Sequence, residues 1–216
     1  MNDTEQDYVT VIGKNLLIPM AKLLETLKLS GVRSVNEVQT SVFENGYATA
    51  IILLAIVLLE SMLNRTRYVM GKASKRKGDT VLAFFKSSFP DSGLYDKLAE
   101  LFVVRDVIAH GHIWQARIKW DKDYELKLVS ASLSEGYGDK KFSDVIDEHK
   151  RKTKFLEINL FPTRICWSDI VTVLKTATAV LLFLEQKDRR YVYISDEYVE
   201  FDGKTVKFLD LVTDLK

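Results

Sequence analysis

A chain of 216 residues with a formal net charge of +1 has room for one substantial core and no global pull toward nucleic acid, so any anion site has to be local. Apolar residues at 47% and charged residues at 28% describe an ordinary soluble globular protein. One cysteine, Cys166, excludes an intramolecular disulfide, and the acidic start lacks a secretory apolar region, so the expected location is cytoplasmic, with no membrane partner.

In chain order, residues 8–29 repeat apolar side chains at three and four, from Val11 to Leu27, and predict a first helix weakened or kinked by Gly13 and Pro19. A second helix begins near Ser34 or Ser41 and continues past Asn64. Its stretch Ala48–Leu59 has no strongly polar residue except Thr49, yet these twelve or so residues fall short of the roughly twenty that a membrane span needs. The expectation is therefore a central buried helix. Glu60 closes the apolar run, and beyond it lies a basic stretch: Arg65, Arg67, Lys72, Lys75, Arg76 and Lys77. These six could track a phosphate backbone, or simply form a cationic helix end and a solvated loop. A short helix from Val81 stops at Pro90, and Asp91 or Ser92 caps the next one.

That next helix carries the chemistry. Leu94, Leu98, Leu101, Arg105 and Ile108 are spaced as one helix face, and its fourth member is an arginine. A guanidinium does not lose its proton at ordinary pH and is costly to bury alone, so Arg105 needs a carboxylate or a wet cleft. Glu60 is the candidate partner, with Asn64 and Arg67 on nearby turns as competing contacts. His110 precedes Gly111, a usual helix stop, so the imidazole closes the last turn, and Asp106 lies one turn before it, within reach of an imidazole N–H.

After Gly111 the period changes to two. Trp114–Trp120 and Tyr124–Leu133 predict a β-hairpin, Ser134–Lys154 a loop with a short helix around Phe142–Lys150, and Phe155–Phe161 a third strand. Ser168 is expected to cap a last long helix whose inward side runs from Ile170 to Leu184. The tail predicts a strand at Tyr191–Ile194, a hairpin of Tyr198–Phe201 and Thr205–Phe208 around Asp202-Gly203, and a helical turn at Asp210–Leu215. Cys166 is read as a core thiol and His149 as a solvated loop residue. His110 and His112, two apart, are not spaced as helical metal ligands, so no metal or other cofactor is expected.

The run Arg105-Asp106-Val107-Ile108-Ala109-His110 resembles the signature of the HEPN superfamily, an arginine and a histidine separated by four to six residues with a polar residue after the arginine. The resemblance covers residues 8–112 and 163–187. It implies a mainly α fold: a HEPN-like four-helix bundle with a β-rich insertion, 113–162, between the third and fourth main helices and a small C-terminal β tail, 188–216, all in one domain. It further implies a homodimer whose two motifs build one metal-independent RNA-cleaving site. Arg105 and His110 would act on the phosphate and its protons, while Asp106 and Glu60 orient them. The implied setting is a toxin or an antiviral effector, with a nucleotidyltransferase-like antitoxin as companion. The insertion departs from the family's shorter link. The alternative is a non-catalytic nucleotide-binding or partner-docking scaffold, in which Arg105, Glu60 and Asp106 form a structural ion network; a plain interaction protein is the third reading.

Overall fold

The computed structural model describes residues 12–31, 40–72, 80–110, 115–117, 127–129, 140–147 and 149–216. It is mainly helical. The helices are α1 (Leu17–Ser30), α2 (Val42–Val69), α3 (Val81–Ser88), α4 (Tyr95–His110), α5 (Lys140–Val145), α6 (Trp167–Lys187) and α7 (Phe208–Asp214). Three antiparallel pairs accompany them: β1 (Gln115–Arg117) with β2 (Lys127–Val129), β3 (Ile146–Asp147) with β4 (Lys152–Thr153), and β5 (Tyr198–Phe201) with β6 (Lys204–Lys207).

Helix α2 is the hub, packed against α1, α4 and α6. Its apolar residues are too dense for one stripe because it is buried on several sides: Ile51, Ile52, Ile56, Leu59 and Leu63 are fully enclosed. By length and composition α2 and α6 are apolar enough to cross a membrane, and half of each apolar window is buried inside this fold. Ser41, rather than Ser34, starts α2, its hydroxyl accepting the Glu44 N–H at 3.1 Å. The expected first helix divides into a 3₁₀ turn at Ile12–Leu16 followed by α1, and residues 8–11 lie outside the described ones. Pro19 therefore sits in the first turn of α1, where its missing N–H costs no hydrogen bond, and produces no mid-helix kink. Gly13 lets that turn approach α2 closely: a Cβ there would lie 3.1 Å from both Leu58 Cδ1 and Met62 Cε.

Of the hairpin expected from Trp114–Trp120 and Tyr124–Leu133, β1 and β2 pair antiparallel with Ala116 opposite Leu128, and the remaining residues of both runs and their connection lie outside the described ones. Other segments differ, and for one recurring reason. A strand at Phe155–Phe161 does not form; only Asn159 joins a single bridge, to Lys152. The N–H groups of Phe155 and Leu156 instead donate to the carboxylate of Glu100 on α4, at 2.7 and 2.8 Å. Asn159 donates through its backbone N–H to Asp169 on α6, at 2.9 Å. Likewise Tyr191–Ile194 is no strand, because Ile194 and Ser195 N–H turn to Glu185, at 3.3 and 3.0 Å. The cap of α6 is Cys166, two residues before Ser168, since Asp169 reaches back to the Cys166 N–H at 2.9 Å. The helix expected around Phe142–Lys150 is the shorter α5, which gives way to β3 at Ile146.

Glu44 completes the pattern by accepting the Trp167 N–H at 2.9 Å, and Glu25 by accepting that of Asp202 at 3.0 Å. Five buried carboxylates on the helices thus satisfy backbone N–H groups of irregular segments, of the hairpin turn and of the start of α6. Burial holds the Asp169 carboxyl above its usual range, although the bonds from Asn159 and Cys166 oppose that shift. A raised folded-state value means that Asp169 contributes stability below the ordinary carboxylate range and loses it as pH rises through its own, so it does not cause acid lability. Carbon-detected titration should place its midpoint above 3.8.

The β5–β6 hairpin turns through Asp202 at φ 51° and Gly203 at φ 70°, a two-residue type I′ turn. Lys28 on α1 pairs with Asp202 at 2.8 Å. No atom lies within 4 Å of a Cβ placed on Gly203, so Gly203→Ala tests backbone strain alone. Thermal melts should show a loss of about 1 kcal/mol.

Candidate functional site

The site forms where α4 crosses the C-terminal half of α2. Leu98, Leu101, Phe102, Val104 and Val107 bury α4 against the bundle, which leaves Arg105 at the margin of the core with its side chain 25% exposed. Its Nη1 donates to Glu60 at 2.5 Å, while Nε and Nη2 both donate to Asp106 Oδ1, at 3.0 and 2.8 Å. Of the competing partners for Glu60, the arginine is the one found. The guanidinium also lies 5.0 Å from the Phe102 ring centroid, one turn back on the same helix. Burial works against the charged form of Arg105, but the hydrogen bonds and charges of Asp106 and Glu60 outweigh it and raise the group above its ordinary value. The guanidinium is fully charged at any working pH.

Two consequences follow for chemistry. Among the described residues three of the five guanidinium N–H donors are committed, leaving one on each Nη for an incoming acceptor. The cluster of two carboxylates and one guanidinium carries a formal charge of −1, so Arg105 meets an anion through its remaining donors, its charge outweighed by its partners. Its stability role is testable at once. A double-mutant cycle with Glu60→Gln and Arg105→Met, followed by urea unfolding, should give a coupling of about 1–2 kcal/mol, moderated by partial solvation of both groups.

His110 is the last residue of α4, as its position before Gly111 suggested. Its side chain, like Gly111 and His112, lies outside the described residues, and so does the expected Asp106–His110 contact. Asp106 is buried and engaged with Arg105. Arg65 and Arg67 occupy the last turns of α2; Arg67 Nε donates to the Lys72 carbonyl at 3.1 Å, and Lys72 Nζ reaches Ser88 Oγ at 3.2 Å. Lys75, Arg76 and Lys77 fall outside the described residues. His149 is exposed, as expected. Cys166, expected in the core, is instead only half-buried at the start of α6, and burial followed by the Asp169 carboxylate pushes its thiol up, which suits an inert thiol.

Sequence reasoning missed Glu100, fully buried on α4, and the matching roles of Glu44, Asp169 and Glu185. The available signal was a lone acid inside an apolar run, Leu98-Ala99-Glu100-Leu101-Phe102, which demands a partner of some kind.

What the fold and the site define is a mainly helical protein with a half-buried Glu–Arg–Asp cluster near the end of a core helix. The chain matches no protein-family model, no curated protein and no solved structure.

Proposed function

We propose that the chain is a metal-independent endoribonuclease of the HEPN kind, acting as a cytoplasmic homodimer in a toxin–antitoxin or antiviral setting. The observation that carries this reading is Arg105, oriented by two carboxylates yet retaining donors, five residues before His110 at the end of the same helix. In the reaction, His110 takes the proton of a ribose 2′-OH, and the 2′-oxygen bonds to phosphorus. The bond from phosphorus to the 5′-oxygen breaks, and an acid, the second copy's His110, protonates that leaving oxygen. Arg105 stabilises the charge gathered on the phosphoryl oxygens. The product ends in a 2′,3′-cyclic phosphate.

Arg65 and Arg67 stand five and seven residues beyond Glu60, within about 10 Å along the α2 axis, so a strand held at Arg105 would continue over the basic stretch that runs to Lys77. A nucleotidyltransferase-like antitoxin fits this reading as a companion. The second reading is a non-catalytic nucleotide-binding or partner-docking scaffold, and the net negative charge of the cluster favours its partner-docking form, with Arg105, Glu60 and Asp106 as a structural ion network. Incubating the purified protein with total cellular RNA in EDTA and mapping fragment ends tests the first. Cyclic-phosphate ends expected from the wild type and missing from His110→Ala support it, and intact RNA with both proteins moves the scaffold reading ahead.

A further inference from the structure

A cleft of about 850 Å³ opens at the other functional extreme of the chain, between the C-terminal hairpin, α7 and the start of α6. Its floor is apolar, made by Trp167, Phe201, Leu211 and Leu215. Trp167 is held at both ends: its backbone N–H donates to Glu44, and its indole N–H donates to the Lys216 carbonyl at 2.7 Å. A ring fixed in this way forms a wall present before any ligand arrives.

All four residues of β6, Lys204 to Lys207, line the cleft. Successive strand side chains point to opposite faces, so a wall that touches every residue of a strand is the strand's edge rather than one of its faces. Among the described residues that edge is open, because β6 pairs with β5 alone. With a two-residue turn, Phe201 and Lys204 form the closing hydrogen-bonded pair, so the ladder alternates and Thr205, opposite Glu200, turns its N–H and C=O outward. The opposite wall is one face of α7, carrying Asp210 and Asp214. Neither carboxylate has a partner among the described residues, nor does the Lys204 ammonium across from them.

We propose that this cleft binds an extended peptide segment of another polypeptide, which adds to β6 as a third strand. Its alternate side chains supply one apolar residue to the Trp167 floor, an acidic residue to Lys204 and a basic residue to Asp210 and Asp214. Main-chain bonds to Thr205 provide affinity, and the charges on the two walls select the sequence. Lys28, Lys207 and Lys216 line the cleft as well, the first two tied to Asp202 and Asp196, so it is the unused main-chain edge of β6, beside the carboxylates of Asp210 and Asp214, that favours a peptide strand over a nucleotide or another anion.

The probe is a fluorescein-labelled heptapeptide, Thr-Glu-Val-Phe-Val-Lys-Thr, with fluorescence anisotropy for affinity and amide hydrogen exchange by NMR for the site. Saturable binding should slow exchange of the Thr205 amide. Thr205→Pro removes an outward N–H that the hairpin does not use, on an edge strand where proline is tolerated, and should weaken binding by about tenfold. Should that variant fold poorly, the same peptide N-methylated on alternate residues makes the test on unaltered protein and should lose binding equally. Equal binding of the methylated peptide, absence of binding by the parent peptide, or occupancy of the cleft by 1-anilinonaphthalene-8-sulfonate alone with Thr205 exchange unchanged would each overturn the proposal.

Discussion

His110→Ala is expected to lower the rate of RNA cleavage by about 10²–10⁴-fold, the usual contribution of a positioned acid–base group, and by more if both copies supply a histidine to one phosphate. Its effect on stability should stay within about 1 kcal/mol, because an imidazole at a helix C-terminus contributes little more than its interaction with the terminal carbonyls. This contrast is what makes the substitution informative. Arg105→Ala would also stop cleavage, but it strips the guanidinium from Glu60 and from buried Asp106, leaving two neighbouring carboxylates to repel each other, so lost activity and lost fold would be confounded. His110→Ala avoids that confusion. The rate should be measured in EDTA beside a urea unfolding curve of the same preparation, and full cleavage by a folded His110→Ala protein would falsify the ribonuclease reading.

The largest stability effect is expected at Glu100, which touches neither Arg105 nor the basic stretch. Its side chain is completely buried, and both oxygens accept backbone N–H groups, from Phe155 and Leu156. Glu100→Ala leaves two donors without acceptors, each costing about 1–3 kcal/mol, and removes side-chain volume from a fully buried position. A total loss of about 3–5 kcal/mol follows, on the order of 10 °C in melting temperature for a chain of this size. Lys97→Ala on the exposed side of the same helix provides the control and should change stability by less than about 0.5 kcal/mol. Amide exchange should show the loss concentrated first at Phe155 and Leu156, since their N–H groups are the ones this carboxylate accepts, while Asn159 stays tied to Asp169. An unchanged melting temperature would mean that these two N–H groups find water instead.

The same chemistry explains where pattern reading succeeded and where it failed. Apolar period locates α1, α2, α4 and α6, because packing a helix requires only that large side chains recur on the right sides, and the Asp202-Gly203 turn follows from a dipeptide that tolerates positive φ. The Glu60–Arg105 contact was legible too. An arginine inside an apolar stripe must be compensated, and the nearest unexplained acid at the edge of another buried helix was the economical partner. Alternation at Phe155–Phe161 and Tyr191–Ile194, by contrast, reports which side chains face the core and nothing about where the backbone hydrogen bonds go. Those bonds went to Glu100, Asp169 and Glu185, acids distant in sequence or on the neighbouring helix.

By itself, then, the sequence determined the helices, the tail hairpin and the need for a carboxylate at Arg105, since each rests on local period, turn chemistry or the cost of an unpaired charge. Only the tertiary structure decided how the irregular segments are anchored, and that Asp106 joins Glu60 on Arg105 as a second carboxylate. It also decided that the edge of β6 faces a cleft. A hydrogen bond between an acid on one helix and a backbone N–H many residues away leaves no periodic trace in the chain, because any segment has such donors to offer and only packing chooses among them.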